Sequence, residues 1–313
     1  MKQYVILMFL LCWIQPMFAT NFVMVSDVGV SAKAIALGNT VGHGESAAAV
    51  FDNAAALSNV KGNSIALFST QLFDEVSYFN VALSSYTKVG TIAVGLYEQS
   101  VQDIPATTYN SDSQVESIGT YDWKNSIVKI AYQTYWVPTI LKNSLFSDPK
   151  SIISAAVTYS CYNLNFESYS GVGQNLDVGI LTKIKNIDYS VNIQNVFFNQ
   201  YVAYNNNQLE LLPFTMTFSA MIPYKWFEII PQYKSTRSRH LFAYGVSYQP
   251  GFLPYVSILT GFKQQLDYLN TKHNKYSIGI ALNLFELSLH YAYERSEYYL
   301  LDHQNYFSLS YNI

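Results

Sequence analysis

The chain has 313 residues and a net charge of −3, with 12% Asp, Glu, Lys and Arg against 16% Phe, Trp and Tyr. Charged content this low is about half the usual share of a soluble globular domain. So small a net charge, with Lys234, Arg237 and Arg239 making only a short basic turn, excludes nucleic acid as a partner.

Beyond the N-terminus no apolar run is long enough for a spanning helix. An apolar, tyrosine-rich chain without apolar blocks points to strands whose lipid-facing and lumen-facing residues alternate, although a soluble β-sandwich shares that composition.

In chain order, residues 1–19 read as a cleaved secretory signal. Lys2 supplies the positive start, Tyr4 to Ile14 the apolar core, and Met17-Phe18-Ala19 a cleavage site before Thr20. Cys12 falls inside this stretch, with Leu11 where a lipoprotein anchor needs a small residue. Cys161 then stands alone in the exported chain, which leaves no intramolecular disulfide and no cysteine metal site.

Residues 20–62 differ from all that follows. Ser31-Ala32-Lys33-Ala34, Ala47-Ala48-Ala49 and Ala54-Ala55-Ala56 are small, glycines stand at 29, 38, 42 and 44, and alternation is poor. Small residues let backbones approach closely, which suits a compact plug held inside a larger ring. A short helical extension outside the ring is the alternative.

From Ser64 onward short alternating segments recur to the last residue. They predict strands over 64–70, 77–86, 90–98, 125–136, 151–163, 173–183, 187–197, 213–222, 226–235, 239–249, 254–264, 273–283, 284–296 and 304–313. That is fourteen, an even number, most of a length to cross a bilayer at a tilt. Phe285, Leu287, Leu289, Tyr291 and Tyr293 oppose Glu286, Ser288, His290 and Glu294. Phe227, Ile229 and Tyr233 likewise oppose Glu228, Gln232 and Lys234, and Tyr276, Ile278, Ile280 and Leu282 oppose Ser277, Gly279 and Ala281.

The connections alternate in length, with tight turns at Thr87-Lys88-Val89, 183–186, Pro223-Tyr224-Lys225 and Asn283-Leu284. Long polar outer loops are expected at 99–124 and 197–212, while 136–150 is a long inner connection able to hold a small helix. Trp136, Trp226, Tyr86, Tyr224, Tyr248 and Tyr255 fall at strand ends, where aromatic belts meet the membrane interface. Phe307, Leu309, Tyr311 and Ile313 alternate to the C-terminus, resembling the assembly signal of outer-membrane proteins, with Ile313 in place of the usual Phe.

No constellation for catalysis, cofactor or metal emerges, and the chain is not expected to be an enzyme. Gly38 to Gly44 is glycine-rich but follows no strand and lacks the Lys-Ser/Thr of a phosphate loop, so it reads as tight turns. His43 and Glu45 have no further ligand at metal spacing. His240, His273 and His303 are scattered, and His290 with Glu294 reads as a polar pair lining the lumen.

Residues 29–57 resemble the opening of the PorV/PorQ family, a branch of the FadL-type outer-membrane superfamily. The matching stretches are Ser31-Ala32-Lys33-Ala34, Ala36-Leu37-Gly38 and Ala49-Val50-Phe51-Asp52-Asn53-Ala54-Ala55-Ala56-Leu57. Ala54 replaces the family's Pro, and Asn39 its second Gly. Asp103-Ile104-Pro105, Gly119-Thr120-Tyr121, Leu176-Asp177-Val178-Gly179, Ile193-Gln194-Asn195-Val196 and Leu212-Pro213-Phe214 are similar to that branch in the same order.

The resemblance implies a transmembrane antiparallel β-barrel of about fourteen strands with an N-terminal hatch in the lumen, in agreement with the strand count. The domains would be a signal peptide (1–19), a hatch (20–62) and a barrel (63–313), in the bacterial outer membrane with its lipid as one partner. It implies two roles: an accessory to type IX protein secretion that contacts secretion components or exported cargo, or a passive transporter of hydrophobic small molecules such as fatty acids. The second role predicts an apolar pocket between the outer loops and the hatch and a break in one strand wall, for which Gly95, Gly179 and Pro231 are candidate kinks. A purely structural barrel is a third possibility.

Overall fold

The computed structural model describes residues 28–72, 75–109, 114–136, 153–197, 201–236, 239–266, 271–295 and 304–313. The expected signal at 1–19, the first residues of the expected hatch (20–27) and the connection 137–150 lie outside the described residues. No helix among the described residues is long and apolar enough to cross a membrane.

The strands are β1 (Asn63–Leu72), β2 (Val76–Thr87), β3 (Gly90–Tyr109), β4 (Val115–Trp136), β5 (Ile153–Phe166), β6 (Tyr169–Ile184), β7 (Ile187–Gln194) and β8 (Tyr201–Tyr204). They continue with β9 (Leu209–Leu211), β10 (Thr215–Tyr224), β11 (Phe227–Thr236), β12 (Arg239–Tyr248), β13 (Val256–Leu266), β14 (Lys272–Leu284), β15 (Leu287–Glu294) and β16 (Gln304–Asn312). Fourteen of these form one closed antiparallel barrel. Each pairs with its neighbours in sequence, β7 pairs with β10, and β1 pairs with β16 to close the ring. The short β8 and β9 form a side hairpin whose first strand adds to the outer part of β6.

Closure is tied at the chain ends. Asn63 N–H donates to the Ile313 carbonyl at 2.9 Å and Ile313 N–H returns a bond to the Asn63 carbonyl at 2.7 Å. Gly62 turns the chain into β1 with φ +76, and a Cβ there would lie 2.0 Å from the Ile313 oxygen. This end of the ring, here the inner end, also carries the two-residue turns at 88–89, 185–186, 225–226 and 285–286. Lys185, Lys225 and Phe285 take positive φ in three of them.

The strand faces follow the alternation read from sequence. Ile278 and Ile280 are exposed on the outer face of β14, while Ser277 and Ala281 are buried. Phe307 and Tyr311 are outward on β16, and Tyr306, Ser308 and Ser310 are buried inside. A wall with apolar groups outside and its amides paired around a closed ring meets what hydrocarbon demands, since an unpaired backbone group there costs several kcal/mol. Tyr86, Tyr224, Trp226 and Tyr255 lie exposed at the inner end and form one aromatic belt.

Two expected loops are partly strand. Residues 101–109 and 115–122 continue β3 and β4 as a paired ribbon past their neighbours, with register shifts between Val101 and Ile104 and between Ala106 and Thr107. Both faces of this ribbon meet water, so its residues carry no apolar–polar alternation to reveal the strands. Within 197–212, β8 and β9 are too short to show a period. The expected turn at Asn283-Leu284 sits two residues later, at Phe285-Glu286.

Placing a charge on the outer face tests the inside–outside assignment. Ile278→Arg should destabilise the barrel in lipid vesicles by about 2–4 kcal/mol, measured by denaturant-driven unfolding, whereas Ser288→Arg, on the inward face of β15, should cost far less.

Candidate functional site

The lumen is occupied by the chain's own residues 28–62. Ser31 caps helix α1 (Ala32–Ala36) by accepting a bond from Ala34 N–H at 3.1 Å, and Gly38, at φ +69, ends it. Two short 3₁₀ helices follow, Ala47–Val50 and Ala54–Asn59, the second capped by the Asn53 side chain on Ala55 N–H. Ala32, Ile35, Ala47, Phe51, Ala55 and Leu57 are at most 1% exposed, so these residues are fully packed against the wall and one another.

Short helices leave many backbone groups without partners, and inward side chains around the ring supply them. Ser308 accepts from Ala32 N–H at 3.1 Å, and Ser277 donates to the Ile35 carbonyl at 2.7 Å. Tyr78 donates to Gly29 O at 2.5 Å and Asn80 to Val30 O at 3.1 Å. Ser64 accepts from Ala47 N–H, and Ser154 donates to Ala55 O. Asn53 donates to Ser190 Oγ at 2.8 Å, and Asn192 to Asp52 O at 2.5 Å.

Space for this segment comes from small residues on the inner wall. Gly95 and Gly179 do not kink their strands; the ladder runs through both without a break. A Cβ on Gly95 would meet the Phe51 ring at 2.6 Å, and one on Gly179 would meet Asn53 Oδ1 at 2.0 Å. Gly245 and Gly261, paired across β12 and β13, admit Leu37 and Gly38 in the same way.

Pro231 does interrupt the wall. Ser219 pairs with Gln232 and Ile222 with Ile229, in one constant register, but Ala220–Pro231 and Met221–Ile230 between them are not bridged. Proline has no N–H to give the ladder. By strand parity Met221 and Ile230 face the lumen and Ala220 and Pro231 face outward, so this seam between β10 and β11 is lined by apolar atoms.

On the outer side of the segment, Phe68, Tyr78, Tyr97 and Tyr306 fill the lumen with mutually packed rings, Tyr78 and Tyr97 meeting edge to face at 4.8 Å. The space beside Gly38 and Asn39, lined also by Gln194, Lys234, Leu241 and Phe242, is only about 40 Å³. The outer loops that would bound the expected apolar pocket include 110–113, 198–200, 237–238, 267–270 and 296–303, which lie outside the described residues. A cavity of about 820 Å³ lies on the inner side, lined among others by Lys33, Glu45, Asp188, Glu228 and His290, with Met221 and Ile230 in its wall.

The motifs singled out in the sequence meet in space. Asp177 holds Lys129 at 2.7 Å and accepts from Asn195 N–H at 3.0 Å. Asn195 donates to the Pro213 carbonyl at 2.9 Å and accepts from Tyr162 at 3.1 Å. This node joins β4, β5, β6 and β7 to the start of β10, while Gly179 seats Asn53 beside it. Gly38 to Gly44 forms turns, with positive φ at Gly38, Asn39 and Gly42. His43 bonds Ser219 at 3.0 Å and Glu45 pairs with Lys33 at 2.8 Å, so the two do not act together. His290 and Glu294 line one face but do not pair: His290 contacts Ser308, and Glu294 holds Lys263 at 2.6 Å and Lys275 at 3.3 Å.

Burial pushes the Asp52 carboxyl up to about 6 and, with Lys33 adding its charge, drops the His43 imidazole to about 4.

No family model matches the sequence, and no curated protein matches it. Among solved structures, the fold is similar to that of the Pseudomonas putida toluene transporter TodX, with a TM-score of 0.60 at 11% identity, covering 91% of this chain and 99% of that one. It is also similar to the monoaromatic hydrocarbon channel CymD, with a TM-score of 0.56 at 8% identity, covering 93% of this chain and 99% of that one. At these identities the likeness is one of fold.

Two outcomes follow from this packing. Gly179→Val should displace Asn53 and loosen the lumenal segment, raising conductance several-fold in planar bilayers relative to the wild-type barrel. Asp52 has a folded value above the ordinary 3.8, so its neutral form is favoured and its contribution to seating the segment is greatest at low pH, falling as pH rises through about 6. Isotope-edited infrared titration should show an Asp52 carboxylic-acid band lost with a midpoint near 6 and absent in Asp52→Asn.

Proposed function

We propose that this chain is a FadL-like channel of the bacterial outer membrane, passing small hydrophobic molecules under the control of its lumenal segment. The observation that carries the reading is the apolar seam at Pro231, set in the wall of a closed barrel beside a cavity of about 820 Å³. The inner cavity has a charged side at Lys33, Glu45, Asp188 and Glu228 and an apolar side that includes Leu37, Met221 and Ile230. A route sideways between Met221 and Ile230 leads from that apolar side into the bilayer.

The likeness of fold to TodX and CymD over nine-tenths of the chain supports transport over the secretion-accessory role. In this structure the PorV/PorQ-like motifs also have structural work: Asp177, Asn195 and Pro213 close the polar node, and Asn53 seats the segment.

Bacterial cells expressing the chain should take up radiolabelled toluene or oleate several-fold faster than cells with an empty vector. Unchanged uptake, with the barrel folded and in the membrane, would argue against the channel. Pro231→Val restores an N–H to the ladder and should lower that uptake without loss of folded barrel.

A further inference from the structure

Resting on the channel reading above, we infer that the lumenal loop 39–43 is a clamp holding the β10–β11 seam shut, so that the position of the segment decides whether the wall is open. Ser219 and Gln232 form the last bridged pair before the interruption, one on each strand flanking it. Both side chains point inward, and both bind the same short piece of backbone. Val41 N–H donates to Gln232 Oε1 at 2.8 Å, and the Val41 carbonyl accepts from Ser219 Oγ at 2.7 Å. Gln232 Nε2 also donates to the Asn39 carbonyl at 3.1 Å, and His43 Nε2 contacts Ser219 Oγ at 3.0 Å.

One residue, Val41, thus joins the two strands through its own N–H and C=O, beside the place where the strands fail to bond each other. The side chain of Gln232 presents a donor and an acceptor to the loop as an amide of a neighbouring strand would. The loop can do this because positive φ at Asn39 and Gly42 turns its backbone toward the wall on either side of Val41. Gly42 has no room for a side chain: a Cβ there would lie 1.8 Å from Ser190 Oγ.

The bonds tie two states together. With the loop seated, β10 and β11 are tied together at the edge of the seam by the loop as well as by their own Ser219–Gln232 pair. With the loop withdrawn, Ser219 and Gln232 lose their shared partner, and only Pro231, Ala220, Met221 and Ile230 face each other, with no backbone bridge among them.

The test uses the full chain in lipid vesicles and reads amide hydrogen exchange at Ser219, Ile222, Ile229 and Gln232, with the β1–β2 ladder as internal reference. Gln232→Leu and Ser219→Ala should each speed exchange at these four amides by about tenfold and leave β1–β2 unchanged. Ser219→Thr, which keeps the hydroxyl, should restore protection. Uptake of labelled toluene by the same variants should rise in step. Exchange unchanged by Gln232→Leu and Ser219→Ala, or raised equally throughout the ring, would overturn the clamp even if wild-type uptake occurs. Local exchange that follows the clamp while no variant or wild type takes up toluene would leave the clamp standing and remove the transport reading.

Discussion

Hydrocarbon offers no hydrogen bonds, and the rest of this molecule follows from where its backbone amides find partners. In the wall they find each other, strand to strand, around a ring whose first and last residues, Asn63 and Ile313, are joined by a reciprocal pair of bonds. Once the ring is closed, alternate side chains must satisfy two different surroundings, lipid outside and a crowded interior within. Ile278 beside Ser277 and Phe307 beside Ser308 show that division residue by residue.

The interior has the opposite problem. A segment made of one short helix, two 3₁₀ helices and turns leaves amides and carbonyls that it cannot pair itself. Serines, asparagines and glutamines on seven or more strands meet them, so the wall acts as a polar mould for the segment. Glycines at 95, 179, 245 and 261 set the depth of that mould. Where wall bonding lapses at Pro231, the segment binds both flanking strands from inside, through Val41. Wall and segment are therefore a single bonded unit, and a change in one is felt in the other.

Much of the ring was legible in the sequence because its physics is periodic. Period-two alternation in 276–282 and 304–313 required only that one face be apolar. The ribbon at 101–109 and 115–122 was missed because both its faces are wet, and β8 and β9 because three or four residues show no period. The interior was less legible. Gly95 and Gly179 looked like kinks, since a glycine that makes room for a distant side chain has the same local signature as one that bends a strand. Pro231 was readable, because loss of an N–H is a property of the residue alone. That Gln232 and Ser219 share Val41 could not be read, because the three lie far apart in the chain and meet only when the ring closes. Nor does anything local say that Phe68, Tyr78, Tyr97 and Tyr306 converge inside the lumen.

The ring in its bilayer is the claim beneath all of this, and it is tested most directly by quenching. A fluorophore attached in turn at residues 307 to 311 of β16, in the full chain reconstituted with acyl-brominated lipid, should be quenched at 307, 309 and 311 and spared at 308 and 310, which border the inner cavity. Equal quenching at all five positions, or stronger quenching at 308 and 310, would contradict the closed, lipid-embedded barrel.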